Sequence, residues 1–495
     1  MEFKEKQNKS SSLINNLAES VERNLYYFFG TKISAFYNSG KDIYFETRYE
    51  DLLSILDGLK NKDDFDFSIL SNIKYRKSNN LLLIILFSFE KTISINIKVK
   101  NLNSFSGFEI KNFTASVRKL FDNAVYFSDR NYLKDINNDS VVFSQIPETL
   151  DTFDIYLSLN GSTIKDAYIC DEISCHNARI IFEGKEISKI ISKLNNLDYK
   201  AGIYPELCFC LGIENLLQVK PPKRATYIRM LLCELSRITC HLSYIADMSL
   251  VLGDMAAFNY TLTDKEKILN SIELITGSRV IPNFIRIGGV KKDVDDNVLD
   301  LLYKLMPKLY KSIKKIEELF SSNAVTLDKL KNSGRTDAKT VKESGVTGPN
   351  LRASGVRYDL RKKTNYLFYK DISFTIPLGR TGDSFDRVLI RFKEIYQSLK
   401  IISEIVESIP LGATSKMINP LTIELYPARI ISTVESPHGI FKLYIDIKEN
   451  SDIEIVPVSS IKNNIILCEK TLRNCSFDEL LPVTSSFGIE SPEMY

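Results

Sequence analysis

The sequence predicts an α+β chain, in which a small N-terminal α+β domain precedes a larger, mainly helical domain with peripheral strands. Three observations predict it. Residues 32–100 alternate β-patterned runs with one helical run, residues from about 224 to 408 carry apolar side chains at spacings of three and four, and the last 70 or so residues return to β patterns. The length of 495 residues agrees, because it exceeds what one ordinary hydrophobic core holds.

Residues 1–15 are rich in Ser, Lys and Asn and predict a disordered terminus. The first domain spans 16–138. Asn16–Phe29 reads as a helix, and Lys32–Tyr37 and Asp42–Glu46 as strands around the turn Asn38-Ser39-Gly40. Tyr49–Leu59 reads as a helix. Asn80–Phe89 and Thr92–Lys100 read as a hairpin whose second strand places Ile93, Ile95, Ile97 and Val99 on one face. Phe113–Phe121 reads as a further helix. Asn137-Asn138-Asp139-Ser140 reads as a linker, and the second domain spans 139–495.

In that second domain Phe153–Leu159 alternates like a strand and ends in the turn Asn160-Gly161. Pro221–Lys223 opens an amphipathic helix from about Arg224 to Val251, with the stripe Ile228, Leu231, Leu232, Leu235, Ile238, Leu242, Ile245 and Met248. Thr263-x-x-Glu266 reads as a capping box opening the next helix, which ends at Gly277. Val298–Phe320 continues the helical pattern with a kink at Pro307. Asp371–Pro377 reads as a short strand, Asp383–Ser408 as a long helix, and Leu443–Ile447 and Ile453–Val456 as strands.

Composition excludes several classes. Hydrophobic residues at 44% and charged residues at 26% suit a globular protein. A net charge of +3, with Lys and Arg interspersed among Asp and Glu, lacks the basic concentration of a nucleic-acid binder. The most apolar run, Leu81–Phe87, is far shorter than the roughly 20 residues that cross a bilayer. No apolar stretch follows the charged N-terminus, so no secretory leader is expected. The expectation is a cytosolic or peripheral chain, brought to a membrane by another protein if it works on a lipid. The eight cysteines are Cys170, Cys175, Cys208, Cys210, Cys233, Cys240, Cys468 and Cys475. None forms a C-x-x-C pair, so reduced structural thiols are expected, with no cluster or metal held by this chain.

Four stretches carry a family resemblance. The first is Arg224-Ala-Thr-Tyr-Ile-Arg-Met-Leu-Leu-Cys-Glu-Leu-Ser-Arg-Ile-Thr-Cys-His241-Leu. The second is Thr276-Gly-Ser-Arg279 followed by Ile285-Arg-Ile-Gly-Gly289-Val. The third is Leu351-Arg-Ala-Ser-Gly355-Val-Arg-Tyr-Asp359-Leu-Arg361, continuing to Pro377-Leu-Gly379-x-x-Gly382-Asp-x-Phe385-Asp386-Arg387. The fourth is Glu435-Ser-Pro-His-Gly439. In order and spacing they resemble the D subunit of the proton-pumping NADH:quinone oxidoreductase, respiratory complex I, whose fold is shared with the nickel–iron hydrogenase large subunit. Phe113-Thr-Ala-Ser-Val-Arg-Lys-Leu-Phe121-Asp-Asn and Asn131-Tyr-Leu133-Lys-Asp-Ile136 are similar to segments of the family's C subunit, which implies a fused C/D chain.

The resemblance implies a peripheral-arm subunit, on the cytoplasmic side of the bacterial inner membrane. Its substrate would be a quinone, reduced beside the terminal iron–sulfur cluster of a B-like partner. NADH and the clusters would sit in partner subunits, and the neighbours would be B-, I- and G-like peripheral subunits and an H-like membrane subunit. Leu197-Asp198-Tyr199 resembles the family's M-D-Y and makes Tyr199 the catalytic hydroxyl donor. The family's loop histidines correspond to Ile146 and Leu150, and its orienting Asp to Val251, with Asp254 one turn away. An Arg and a His near the cluster correspond to Asn196 and Ile281, and a loop ahead of Arg429 is shorter.

His176 could replace a lost donor, and His241 reads as structural. Gly288, Gly289, Gly355, Gly379 and Gly382 mark turns or close backbone approaches. Arg352, Arg357 and Arg361 flank Asp359 and suit buried pairing. Two alternatives remain open. One is an assembly or scaffold homologue with a degraded quinone site. The other is a hydrogenase large subunit, which needs two C-x-x-C pairs. Here Cys170 and Cys175 are separated by four residues, and the chain ends Ser491-Pro-Glu-Met-Tyr495.

Overall fold

The structure is a computed structural model. It describes residues 23–25, 27–38, 42–61, 69–76, 81–88, 93–100, 140–144, 154–170, 180–182, 187–198, 200–280, 283–364, 366–416, 425–449 and 452–489. The chain divides into two compact units, Met1–Asn138 and Asp139–Tyr495.

In the first unit, strands β1 (Ile33–Asn38), β2 (Asp42–Arg48), β3 (Ile69–Arg76), β4 (Leu81–Ser88) and β5 (Ile93–Lys100) form one sheet in the order β1-β2-β5-β4-β3. The β2–β5 pair is parallel and its neighbours are antiparallel. Helix α1 (Tyr49–Asn61) repeats apolar residues at helical spacing. Leu52, Ile55, Leu56 and Leu59 are fully buried, as are Phe45 and Ile97 of the strands beneath. The hairpin read at 80–100 is β4–β5. Strand β3 has no clear period-two signature, because a bulge between Leu70 and Asn72 shifts its register. The helix expected over Phe113–Phe121, the terminus 1–15 and linker residues 137–139 lie outside the described residues. Ser140, assigned to the linker by its sequence, instead begins strand β6 (Ser140–Ser144), where it pairs with Ser158.

The second unit is built on helix α4 (Lys223–Leu252). Against it pack α3 (Ile203–Leu217), α5 (Met255–Thr276) and α9 (Ser384–Ser408), and the unit also holds α2 (Ile187–Leu194), α6 (Asp296–Ser322), the short α7 (Pro349–Ala353) and α8 (Leu360–Lys363), and α10 (Ile461–Leu472). The stripe read from the sequence is buried throughout, but α4 is not amphipathic in the sense expected. Arg229, Glu234, Arg237 and His241 are buried too, so the helix is enclosed by the domain on its polar side as well. Helix α5 begins earlier than Thr263 predicts. Asp254 caps it by accepting from Ala257 N at 2.9 Å, while Thr263 is mid-helix and its hydroxyl donates back to Asn259 O. Gly277, at φ 83°, ends α5 as expected. Helix α6 runs through Pro307.

No strand forms over Asp371–Pro377. Ile372 and Phe374 are buried, but the amides of Ser373 and Thr375 donate to the side chains of Glu404 and Gln397 on α9, which take the place of a partner strand. Strands β6, β7 (Asp154–Asn160) and β8 (Thr163–Cys170) form one antiparallel sheet. Strands β12 (Ala428–Ser436), β13 (Gly439–Ile447), β14 (Ile453–Val458) and β9 (Ile180–Phe182) form another. The two-stranded ribbon β10 (Ile285–Arg286) and β11 (Gly289–Val290) closes over α4. Among the described residues no helix is long and apolar enough to cross a membrane.

Candidate functional site

The described residues between α2 and α3 turn the chain tightly. A 3₁₀ turn spans Asn195–Leu197, and Asp198 accepts the Ala201 amide through both its side chain (2.9 Å) and its carbonyl (3.2 Å). A Cβ on Gly202 would lie 2.5 Å from the Asn195 carbonyl, so glycine alone lets α3 begin this close. Asn195 donates to Glu206 Oε1 at 3.0 Å. Burial pushes Glu206 up to about 8, against the opposing pull of the Ile285 amide, Arg286 and Asn195.

This turn borders a cavity of about 180 Å³ between the start of α3, α4, α5 and the segment after α5. Ile203, Leu232 and Ile272 give it apolar walls. Ser236, Thr239 and Ser243 of α4 present hydroxyls, and Lys200, Lys265 and Arg279 bring cations. Lys200 also pairs with Asp247 at 3.6 Å, and Arg279 is shared between Glu266 and Glu273.

The opposite side of α4 faces a buried charge cluster. Arg352 donates to Glu394 (2.7 Å) and Glu435 (2.9 Å) and stands 3.7 Å from Asp359. Arg361 reaches Asp359 (2.7 Å) and Glu234 (3.1 Å). Glu234 also accepts from Tyr369 and Ser398, and pairs with Arg237 at 3.3 Å. His241 Nε2 is 3.0 Å from Glu394.

Burial opposes charge on every carboxylate here, and the neighbours decide the outcome. For Glu394 burial is outweighed by Arg352 and His241, which hold it far below the usual range. For Glu234 burial is outweighed by Arg237 and Arg361. For Glu435 burial and nearby Asp359 prevail over Arg352, and the carboxyl is raised. Burial takes His241 down to about 4, despite Glu394.

Against known proteins, residues 251–456 match the family described as respiratory-chain NADH dehydrogenase, 49 Kd subunit. The D subunit of the NADH-quinone oxidoreductase of Desulforamulus reducens is 35% identical over 305 residues, covering 61% of this chain and 82% of that one. The chain belongs to the 49-kDa, or D, family of NADH-quinone oxidoreductase subunits. The D subunit of the F(420)H(2) dehydrogenase of Methanosarcina mazei is also similar, 32% identical over 305 residues, with 61% and 81% covered. A chain of the membrane-bound sulfane sulfur reductase, an archaeal respiratory membrane complex, superposes with a TM-score of 0.67 at 26% identity, covering 72% of this chain and 99% of that one. Membership places the chain in a multi-subunit oxidoreductase complex.

The structure brings some of the family's motif residues together and leaves others apart. Arg352 and Arg361 pair with Asp359 as their spacing implied, whereas Arg357 is exposed. Gly288, Gly355 and Gly382 have positive φ, and a Cβ on Gly379 would lie 2.0 Å from the Ala353 carbonyl. His241 is a buried structural partner of Glu394, and Asp254 is the cap of α5. Asn196 is described, in the 3₁₀ turn. Tyr199, His176, Ile281, Ile146 and Leu150 lie outside the described residues.

Cys208, Cys210, Cys233, Cys240, Cys468 and Cys475 are buried and form no disulfide among the described residues, and burial pushes Cys208 up to about 12. Among the described residues no group of three or more His, Cys, Asp or Glu could hold a metal ion. Glu206 and the Glu214–Arg229 pair, at 2.6 Å, escaped the sequence reading. Their signal was available, since α3 is apolar on every side and a carboxylate inside such a helix must find a partner.

Proposed function

We propose that this chain forms one wall of the quinone-reduction site of an NADH:quinone-oxidoreductase-type complex. Its N-terminal unit takes the place of a C subunit. Electrons come from an iron–sulfur cluster in a B-like partner. I- and G-like subunits and an H-like membrane subunit complete the surroundings, on the cytoplasmic face of the membrane, and NADH binds elsewhere in the complex.

The observation that carries this reading is the cavity beside the 195–202 turn. It joins apolar walls, which suit a quinone ring, to the Ser236 hydroxyl and three cations, which suit oxygens that gain negative charge on reduction, while the Thr239 and Ser243 hydroxyls donate back to helix carbonyls. Tyr199 is next in sequence to Lys200, which lines that cavity. A hydrogen bond to a charged oxygen contributes about 1.5–3 kcal/mol. If it forms mainly in the transition state, Tyr199→Phe slows quinone reduction about tenfold to a hundredfold.

One observation favours a second reading, a scaffold subunit with a silent site: Ile146 and Leu150 stand where the family has histidines. Quinone reductase rates of the assembled complex separate the two. An active parent slowed by Tyr199→Phe and accelerated by Leu150→His supports the working site. An inactive parent supports the scaffold, and an active parent indifferent to Tyr199→Phe removes Tyr199 from the chemistry.

A further inference from the structure

Three cations border the proposed acceptor cavity, and they differ in what already neutralises them. Lys200 pairs with Asp247 of α4 at 3.6 Å. Arg279 pairs with Glu273 at 3.2 Å and with Glu266, and also donates to Asn270. Lys265 has no hydrogen-bond or ion-pair partner among the described residues. Its place on α5 explains why. The residues three and four away, its neighbours on the helix surface, are Thr261, Leu262, Ile268 and Leu269, and none is acidic. The carboxylates next to it in sequence are engaged elsewhere, Asp264 with Lys267 at 2.7 Å and Glu266 with Arg279.

The cavity wall does not neutralise it either. Lys265, Leu269 and Ile272, spaced by four and three, are the stripe that α5 gives to the cavity, and among the described residues no carboxylate lines it. On the α4 wall the Thr239 and Ser243 hydroxyls donate back to helix carbonyls, which leaves that of Ser236 for a ligand. Lys265 is half-buried, so water screens its charge only in part. A lone ammonium beside apolar Leu269 and Ile272 attracts a negative group more strongly than it would in bulk water, and a neutral group much less.

Resting on the acceptor-site reading above, we infer that Lys265 holds the negative charge of the reduced quinone, its ammonium donating to the oxygen that gains charge. The step balances without a proton from the lysine. The partner's cluster supplies two electrons, and Tyr199 and water supply two protons, the phenol being reprotonated from solvent. Lys265 is neither oxidised nor deprotonated. Its ammonium attracts a neutral quinone oxygen weakly and the anion formed by electron transfer strongly. The stabilisation is therefore greater after electron transfer than before, which raises turnover rather than affinity. It also gives the site a means of reducing quinone with Ile146 and Leu150 in place of the loop histidines. The same charge predicts a ligand preference, in which an anionic quinone analogue binds better than its neutral counterpart.

The test uses the assembled complex as the parent, Lys265→Met and Lys265→Arg. One readout is quinone reduction. The other is equilibrium dialysis of two probes, a hydroxynaphthoquinone that is ionised at neutral pH and its uncharged methyl ether. The parent should bind the ionised probe about tenfold or more tighter than the ether, with the difference narrowing as salt is raised. Lys265→Met should abolish that difference and lower kcat about tenfold to a hundredfold with little change in KM. Lys265→Arg should keep the preference and most of the rate. An active parent, with a Lys265→Met complex unchanged in rate and preference, overturns the role of Lys265 alone. A parent that reduces no quinone and binds neither probe overturns the acceptor-site reading and this inference with it. If Lys265→Met does not assemble, the parent decides, and equal binding of the two probes overturns the proposal.

Discussion

Isosteric substitutions of two carboxylates that share one arginine, Arg352, should differ severalfold in cost. The cluster around Arg352 buries four carboxylates (Glu234, Asp359, Glu394 and Glu435) with three guanidinium groups (Arg237, Arg352 and Arg361), and His241 is held neutral. One carboxylate is in excess, and burial with Asp359 nearby makes it Glu435. Glu394→Gln removes a charge that Arg352 and His241 hold ionised, and breaking a buried pair in this way costs about 3–5 kcal/mol. Glu435→Gln resembles the protonated acid. Its two oxygens accept from Arg352 and from the Leu360 amide, so the amide nitrogen sacrifices one of these bonds, at about 1 kcal/mol.

The pH dependence follows in sign. A carboxyl raised in the folded state contributes stability at low pH that is lost as pH climbs through its folded value. The deficit of Glu435→Gln against the parent should therefore shrink as pH rises above the usual carboxylate range. Urea unfolding of the full chain, followed by the helical signal at several pH values, measures both. Equal losses for the two variants, or a Glu435→Gln deficit that stays constant with pH, would refute the assignment of the excess proton.

Other outcomes follow from single contacts. His241 has a folded value of about 4 against about 6.5 unfolded, so the parent should lose up to about 3 kcal/mol as pH falls from about 6.5 to 4. His241→Gln should flatten that limb of the stability curve in acid titrations of urea midpoints. Gly379→Ala drives a methyl against the Ala353 carbonyl and should cost about 1–3 kcal/mol or more, read as a lowered unfolding midpoint. A wild-type midpoint would mean that the 353–379 contact yields easily.

Much of the helical domain was legible because burial imposes periodicity. The α4 stripe, the α9 span and the Gly277 stop follow directly from spacing and backbone permissiveness. What escaped was set by partners distant in sequence. The polar residues of α4 look like a solvated face until Arg361 and Glu394 supply partners for Glu234 and His241, and the Glu435 carbonyl one for Arg237, from beyond residue 350. The β signature at 371–377 is real as burial alternation, but side chains of α9 satisfy its amides. Thr263 looks like a cap by local motif alone, and loses to Asp254 because the chain has already turned. The 3.3 Å contact of Cys240 with His438 joins residues 198 apart and has no local signal at all.

The buried cluster also bears on the precision of the cavity. Buried ion pairs contribute little net stability over apolar packing, but they penalise wrong arrangements heavily. Arg237 is the case in point. It pairs with Glu234 within α4, donates to the carbonyls of Glu435 and Ser436, and lies 5.4 Å over the ring of Tyr204, the residue after cavity-lining Ile203. One guanidinium thus ties α4 both to the hairpin that carries His438 and to the start of α3. Rotating α4 by a single residue, about 100°, would break all of these contacts and turn Ser236, Thr239 and Ser243 out of the cavity. The electrostatics on one side of α4 thereby fix which side chains its other side offers.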